Sequence, residues 1–242
     1  ITPFVLPIVF AEAENSNGLL KVLIYLGCVM LFCNAPFLNN QKPYMILRCK
    51  RKGWYLGENM YLWLAAFLYM LFISLISLIA VLPTVSTNRL WGEIAGDFVV
   101  NQRSLIPVYT WGLVMPVRVI QNYYPLAAFM YTFITGWLSI VFIGKLMYLL
   151  NLKIGKKTIG ISAAVFFIML DPVAVYFTNF KQYGLLYVSP INWSSLENIN
   201  TVSGYPHLSG EYMFAMYIIL IGVESLLSYI CSIKMDIEVK MI

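Results

Sequence analysis

Asp171, Glu224 and Lys145 are ionisable residues set inside long apolar stretches of this chain, and they bound the reactions it could support. A charge at the centre of a membrane helix costs about 2.5 to 3.5 kcal/mol on insertion scales, so each should face protein or water. Asp171 and Glu224 both fall near midspan. Asp171 also precedes Pro172, which frees a carbonyl, kinks a helix and leaves a polar notch. Lys145 sits nearer one end of its stretch, where it could snorkel to headgroups or pair with a carboxylate. Two readings stay open: a polar patch or proton relay on a translocation path, or protonated or hydrogen-bonded carboxylates that tie helices together. Asn34, beside Pro36, could bond across helices for ~1 kcal/mol or satisfy local backbone.

Hydrolytic chemistry finds little support. No metal-ligand pair or nucleophile elbow accompanies the carboxylates, and the single histidine, His207, lies between Pro206 and Leu208 as a turn residue. "GKKT" at 155–158 lacks the full G-x-x-x-x-G-K-[ST] spacing of a phosphate loop and reads as a basic turn. Cys28, Cys33, Cys49 and Cys231 fall in or beside apolar stretches and read as buried small hydrophobes rather than metal ligands or a disulfide framework. The sequence thus assigns no catalytic residue, no metal and no cofactor to this chain.

The elements that carry these residues are set by composition. Apolar residues make up 60% of the chain, charged residues 11%, and the mean hydropathy is +0.76, which places it among integral membrane proteins. Stretches long enough to cross a hydrocarbon core recur at 18–38, 60–82, 125–150, 158–178 and 211–233. The opening "ITPFVLPIVFAE" reads as the latter half of a further span. The expectation is an all-α polytopic fold of six transmembrane helices, the first truncated, forming one transmembrane domain over 1–242.

Lys and Arg fix an expected orientation, because cationic short loops are retained on the cytoplasmic side. Lys42, Arg48, Lys50, Arg51 and Lys52, then Lys153, Lys156 and Lys157, then Lys234 and Lys240 fall on one side by helix parity. The longer opposite segments hold only Lys21, Arg89, Arg103, Arg118 and Lys181, together with six carboxylates. This asymmetry accounts for the net charge of +5, and no basic groove or stacking module suggests nucleic acid. The outward segments are aromatic and apolar. Trp91, Trp111, Tyr123, Tyr124, Tyr183, Tyr187 and Trp193 suit an aromatic belt at the headgroups, while short re-entrant helices in 179–211 would instead form an outer gate.

The basic stretch "KPYMILRCKRKGWYLGENM", Lys42 to Met60, starts with a proline suited to a first helical turn. Tyr44, Met45, Leu47 and Trp54 can face lipid or a groove while Arg48, Lys50, Arg51 and Lys52 stay wet, and Gly53 and Gly57 allow a sharp exit into the next span. By its order of spans, and by "CNAPF" (33–37), "ILRCKRKGWYLGENMYLW" (46–63) and "YVSPINWSSL" (187–196), the chain resembles ABC-2-type permeases, the membrane subunits of bacterial ATP-driven exporters.

That resemblance implies that 42–57 is a cytoplasmic coupling helix whose Tyr44, Leu47, Arg48, Lys50, Arg51, Lys52 and Trp54 dock on a separate ATPase subunit. It implies further a second permease subunit, ATP and Mg in the ATPase, and residence in the bacterial cytoplasmic membrane. The cargo would be hydrophobic or amphipathic: a peptide, lipid or drug. A non-transporting immunity or sensory protein that binds peptide or lipid through its outward loops is the alternative. A secondary transporter running on Asp171 and Glu224 lacks the expected inverted repeats.

Overall fold

In the computed structural model the described residues are 3–11, 17–37, 42–84, 91, 116–178, 183–198 and 208–234. They hold helices and short 3-10 turns, without a β-strand among them. The helices are α1 (Leu6–Val9), α2 (Asn17–Phe32), α3 (Lys42–Val81), α4 (Val117–Asn122), α5 (Pro125–Ile154), α6 (Lys157–Thr178) and α7 (Gly210–Lys234).

Four of these, α3, α5, α6 and α7, are long and apolar enough to cross a membrane, and the chain is a multi-pass membrane protein. Where two further spans were expected, the described residues give shorter helices. α2 has 16 residues, about 24 Å, and closes at Phe32 rather than Leu38. α1 has four residues, all buried. Cys33 and Asn34 therefore lie in a turn past the end of α2, not within a span.

α5 is the hub. Half of its apolar window is buried inside the bundle, against 11% for α3, so the bundle is built around α5 while α3 spends most of its surface on lipid. The sequence makes this possible with small residues on α5: Ala128, Thr135, Gly136, Ser139 and Gly144 let neighbours come close. A Cβ on Gly144 would stand 3.1 Å from the Phe32 ring of α2, and one on Gly136 would meet the Met70 side chain of α3. α5 starts with Pro125 after an extended Tyr124 and ends at Gly155, whose φ of 74° lets its N–H turn back to the Asn151 carbonyl. α6 continues through Pro172, which leaves the Ile168 carbonyl without the usual helical partner.

The basic stretch differs from expectation in where it bends. Residues 42–81 form one helical element broken at Lys50, with φ 60° and ψ 163°, and not at Gly53 or Gly57. A non-glycine residue held there stores about 1–3 kcal/mol of strain. Arg51, Lys52 and Trp54 accordingly belong to the membrane-crossing helix, and only 42–49 forms a separate short segment.

Contacts gather the basic segments at one end of the bundle. Arg51 donates to the Ile233 carbonyl at the close of α7. Lys157 Nζ donates to Asn34 Oδ1 at 2.9 Å. Asn151 Nδ2 donates to the Ala35 carbonyl at 2.6 Å while its Oδ1 accepts from Gly160 N–H at 3.1 Å, so one buried side chain pins the turn after α2 to the α5–α6 junction.

Candidate functional site

Two buried polar clusters occupy the bundle, one above the other along α5. The first is built on an ion pair. Lys21 Nζ of α2 lies 2.9 Å from Asp171 Oδ1 of α6, with side-chain exposures of 0% and 4%. Lys21 also donates to Ser195 Oγ at 2.8 Å, and Ser195 in turn donates to the Phe10 carbonyl at 2.7 Å. Asn192 Nδ2 donates to the same Asp171 oxygen at 3.2 Å. Both charges are thus paired and supplied with further hydrogen bonds, the condition under which a buried pair is tolerated.

Ser195 and Asn192 come from a loop that enters the bundle. Residues 189–196 are all buried, shaped by 3-10 turns at Asn192–Ser194 and Leu196–Asn198. Trp193 is fully enclosed, its Nε1 donating to the Leu186 carbonyl at 2.8 Å and its ring 5.1 Å from Tyr217. Tyr217 donates to the Pro190 carbonyl at 2.6 Å and lies 2.6 Å from Ser139 Oγ of α5. Ser139 is 14 residues from the start of α5, about 21 Å along its axis, so the loop reaches deep into the bundle. Non-helical backbone survives at such depth only where protein or a water-filled cavity covers it, and here residues 189–196 are all buried.

The second cluster lies toward the basic end. Lys145 Nζ of α5 donates to Asn59 Oδ1 of α3 at 2.5 Å and to Ser225 Oγ of α7 at 2.6 Å, and stands 5.9 Å from the centroid of the Trp63 ring. Glu224 of α7 is 6% exposed, and neither carboxylate oxygen has a hydrogen-bond partner among the described residues. Its closest electrostatic influence is Lys145. Tyr55 of α3 joins the cluster, donating to the Ser225 carbonyl at 2.8 Å and packing its ring 5.4 Å from Tyr229.

Ser139 and Lys145 are six residues apart on α5, about 9 Å. Ile140, Val141, Phe142 and Ile143 fill the interval and are buried. Along α5, therefore, the two clusters are set apart by a run without polar side chains. The residues singled out by sequence do not form one patch: Asp171 belongs to the first cluster, Lys145 and Glu224 to the second, and Asn34 to the basic end.

Several expectations are corrected by this geometry. Lys21, assigned to an outward segment, is the buried partner of Asp171, because α2 begins at Asn17 and carries it inward. Lys145 neither snorkels to headgroups nor pairs directly with Glu224; it bonds to neutral oxygens. Trp193 and Trp91 are not in a headgroup belt, being 0% and 5% exposed, with Trp91 Nε1 donating to the Tyr123 carbonyl at 2.8 Å. Trp54, expected to face lipid or a groove, is 7% exposed and lines a cavity beside α3. Leu47, Arg48, Lys50 and Lys52 are exposed and Arg51 partly so. The side chain of Tyr44, and the whole of Trp111 and His207, lie outside the described residues.

The residues that sequence reading missed are Lys21, Asn59, Ser139, Asn151, Asn192, Ser195 and Tyr217. Only Lys21 carried a signal, a lone cation within "GLLKVLIYLGCVMLF". Beside the basic end, a cavity of about 520 Å³ opens along α3, lined by Phe37, Trp54 and Tyr61 with Gly53 and Gly57. No protein-family model, no curated protein and no solved structure matches the chain.

Proposed function

We propose that this chain is the permease subunit of an ABC-2-type exporter, pairing with a second identical or related subunit and with separate ATPase subunits that hold ATP and Mg. The observation that carries the reading is the basic end. Arg51, Lys157 and the end of α7 meet there, and beside them α3 breaks at a strained Lys50 and presents Leu47 at 80% exposure with Arg48, Lys50 and Lys52. A large exposed aliphatic among cations, on a short segment hinged to a membrane helix, suits a handle that a cytoplasmic partner grips and moves. In this reading the basic end faces the cytoplasm of a bacterium, α1 and α2 complete six crossings with the four longer helices, and residues 42–49 with the first turns beyond Lys50 form the coupling element.

The two polar clusters, buried and set apart along α5, support a path that is shut at rest. Displacing the 189–196 loop would open the first cluster, and motion of α3 relative to α7 would open the second. The cargo crossing such a path is hydrophobic or amphipathic. Co-purification with a candidate ATPase tests the proposal: Leu47→Asp with Arg48→Glu should abolish association and ATPase stimulation while leaving the unfolding midpoint of the permease unchanged. Full association by the double variant would remove the assignment, and activity without any ATPase would favour the immunity or sensory alternative.

A further inference from the structure

The groove beside α3 is opened by two glycines. Gly53 and Gly57 are one turn apart on an exposed helical face, where each is less favourable than alanine by about 0.5–1 kcal/mol. Packing does not explain Gly57, since a Cβ built there meets nothing within 4 Å, and one at Gly53 meets only Cys49 Cβ at 3.4 Å. What their missing side chains provide is the cavity itself, floored by Trp54 and walled by Phe37 and Tyr61, whose rings meet at 4.7 Å.

The depth of the groove follows from contacts of α3 with α7. Tyr55 is level with Ser225 and Ser228, and Arg51 with Ile233. At that same level α7 exposes Leu226, Leu227 and Ile230, and α3 itself exposes Leu56 and Met60, so this stretch presents the apolar surface that hydrocarbon would cover. Gly53 to Tyr61 covers about 12 Å of helix, close to the roughly 15 Å of hydrocarbon in one leaflet. Immediately beyond, at headgroup level, Arg48, Lys50 and Lys52 are exposed beside Cys49 and Gly53 of the lining. Glu58 is the one charged residue of the lining among the described residues and would repel an anion, but it stands six residues, about 9 Å along the helix, from Lys52.

We infer that this groove is a binding site for an anionic phospholipid, with an acyl chain laid along Gly53, Gly57 and Tyr61 and the phosphate held by Arg48, Lys50 and Lys52. An apolar slot at leaflet depth ending in a cationic rim has the chemistry of that one ligand class: a soluble anion would leave the slot empty, and a zwitterionic lipid would leave the rim uncompensated. The rim shares Arg48, Lys50 and Lys52 with the ATPase contact proposed above, but the inference does not rest on that contact, because lipid retention is read on this chain without any ATPase.

Native mass spectrometry of the full chain in detergent, titrated with phosphatidylglycerol or phosphatidylcholine, tests the inference. Wild type should retain phosphatidylglycerol in preference to phosphatidylcholine. Gly57→Leu fills the slot without a clash and should remove the bound lipid while the lipid-free unfolding midpoint stays level or rises. Arg48→Gln with Lys52→Gln should weaken phosphatidylglycerol about thirtyfold, as the loss of two surface cations near an anionic headgroup implies, and leave phosphatidylcholine unchanged. Undiminished phosphatidylglycerol binding by Gly57→Leu would overturn the site. Equal retention of both lipids by wild type would overturn the assignment of an anionic headgroup. If Gly57→Leu keeps its lipid yet loses a protein partner, the groove is a protein contact and the inference fails.

Discussion

Breaking the Lys21–Asp171 pair should be costly, and removing it whole should not. Replacing Lys21 by Met leaves Asp171 buried with one Asn192 hydrogen bond, and orphans the Ser195 oxygen that now accepts from Lys21. At 2.9 Å and an effective dielectric near 20, the direct attraction is about 6 kcal/mol, much of it offset by desolvation. The expected net loss for either single replacement, Lys21→Met or Asp171→Leu, is about 3–5 kcal/mol, which for a chain of this size lowers an unfolding midpoint by roughly 10 °C. The double variant removes both charges together and should recover most of that loss.

Thermal unfolding in one detergent gives the four corners of the cycle, and loop position can be read in parallel. In a background with Cys33, Cys49 and Cys231 changed to Ser, a Ser194→Cys thiol buried in the wild-type loop should react with a maleimide only in the single variants. Additive losses, with the double variant as unstable as the sum of its parents, would show that the two charges do not stabilise one another. Equal maleimide reactivity in all four proteins would show that the pair does not hold the 189–196 loop.

Other replacements probe the rest of the frame. Glu224→Gln replaces a buried carboxyl group that has no hydrogen-bond partner among the described residues, so stability should hold or rise, whereas Lys145→Met, which takes a donor from Asn59 and Ser225, should lower it by about 1–3 kcal/mol; a fall with Glu224→Gln would contradict this. Asn151→Ala deletes two bonds that join the turn after α2 to the α5–α6 junction and should cost about 2 kcal/mol, with faster proteolysis near residue 35 as the local readout. Gly144→Leu presses on the Phe32 ring and should destabilise by about 1–3 kcal/mol, an effect that Phe32→Ala in the same chain should partly relieve.

Much of the architecture was legible because it is local. Whether a stretch can cross a bilayer depends on its own length and polarity, so residues 60–82, 125–150, 158–178 and 211–233 were recognisable from composition, and each lies within one of the long helices save for Leu82, one residue past the end of α3. The all-helical class and the punctuation of α5 by Pro125 and Gly155 follow for the same reason: each residue acts on its own turn of backbone. Parity of the spans also gathered the basic segments on one side, and the Arg51 and Lys157 contacts bring members of three of them to one end.

Tertiary structure decided which polar groups meet. Lys21 and Asp171 are 150 positions apart, and nothing in the neighbourhood of either names the other; the partner is fixed only when α2 and α6 both pack on α5. The 189–196 segment carries the aromatic, proline-containing composition of a surface loop, yet it is buried, bonded to Lys21, Ser139, Asp171 and Tyr217 of four different helices. Likewise the break at Lys50 contradicts local preference, which favoured the glycines, and it falls just before Arg51 and Tyr55, which hold α3 against α7. Local sequence sets which segments avoid water, since that free energy is a sum over residues; the pairing of charges and the course of a loop depend on distances between segments, which exist only once the helices have packed.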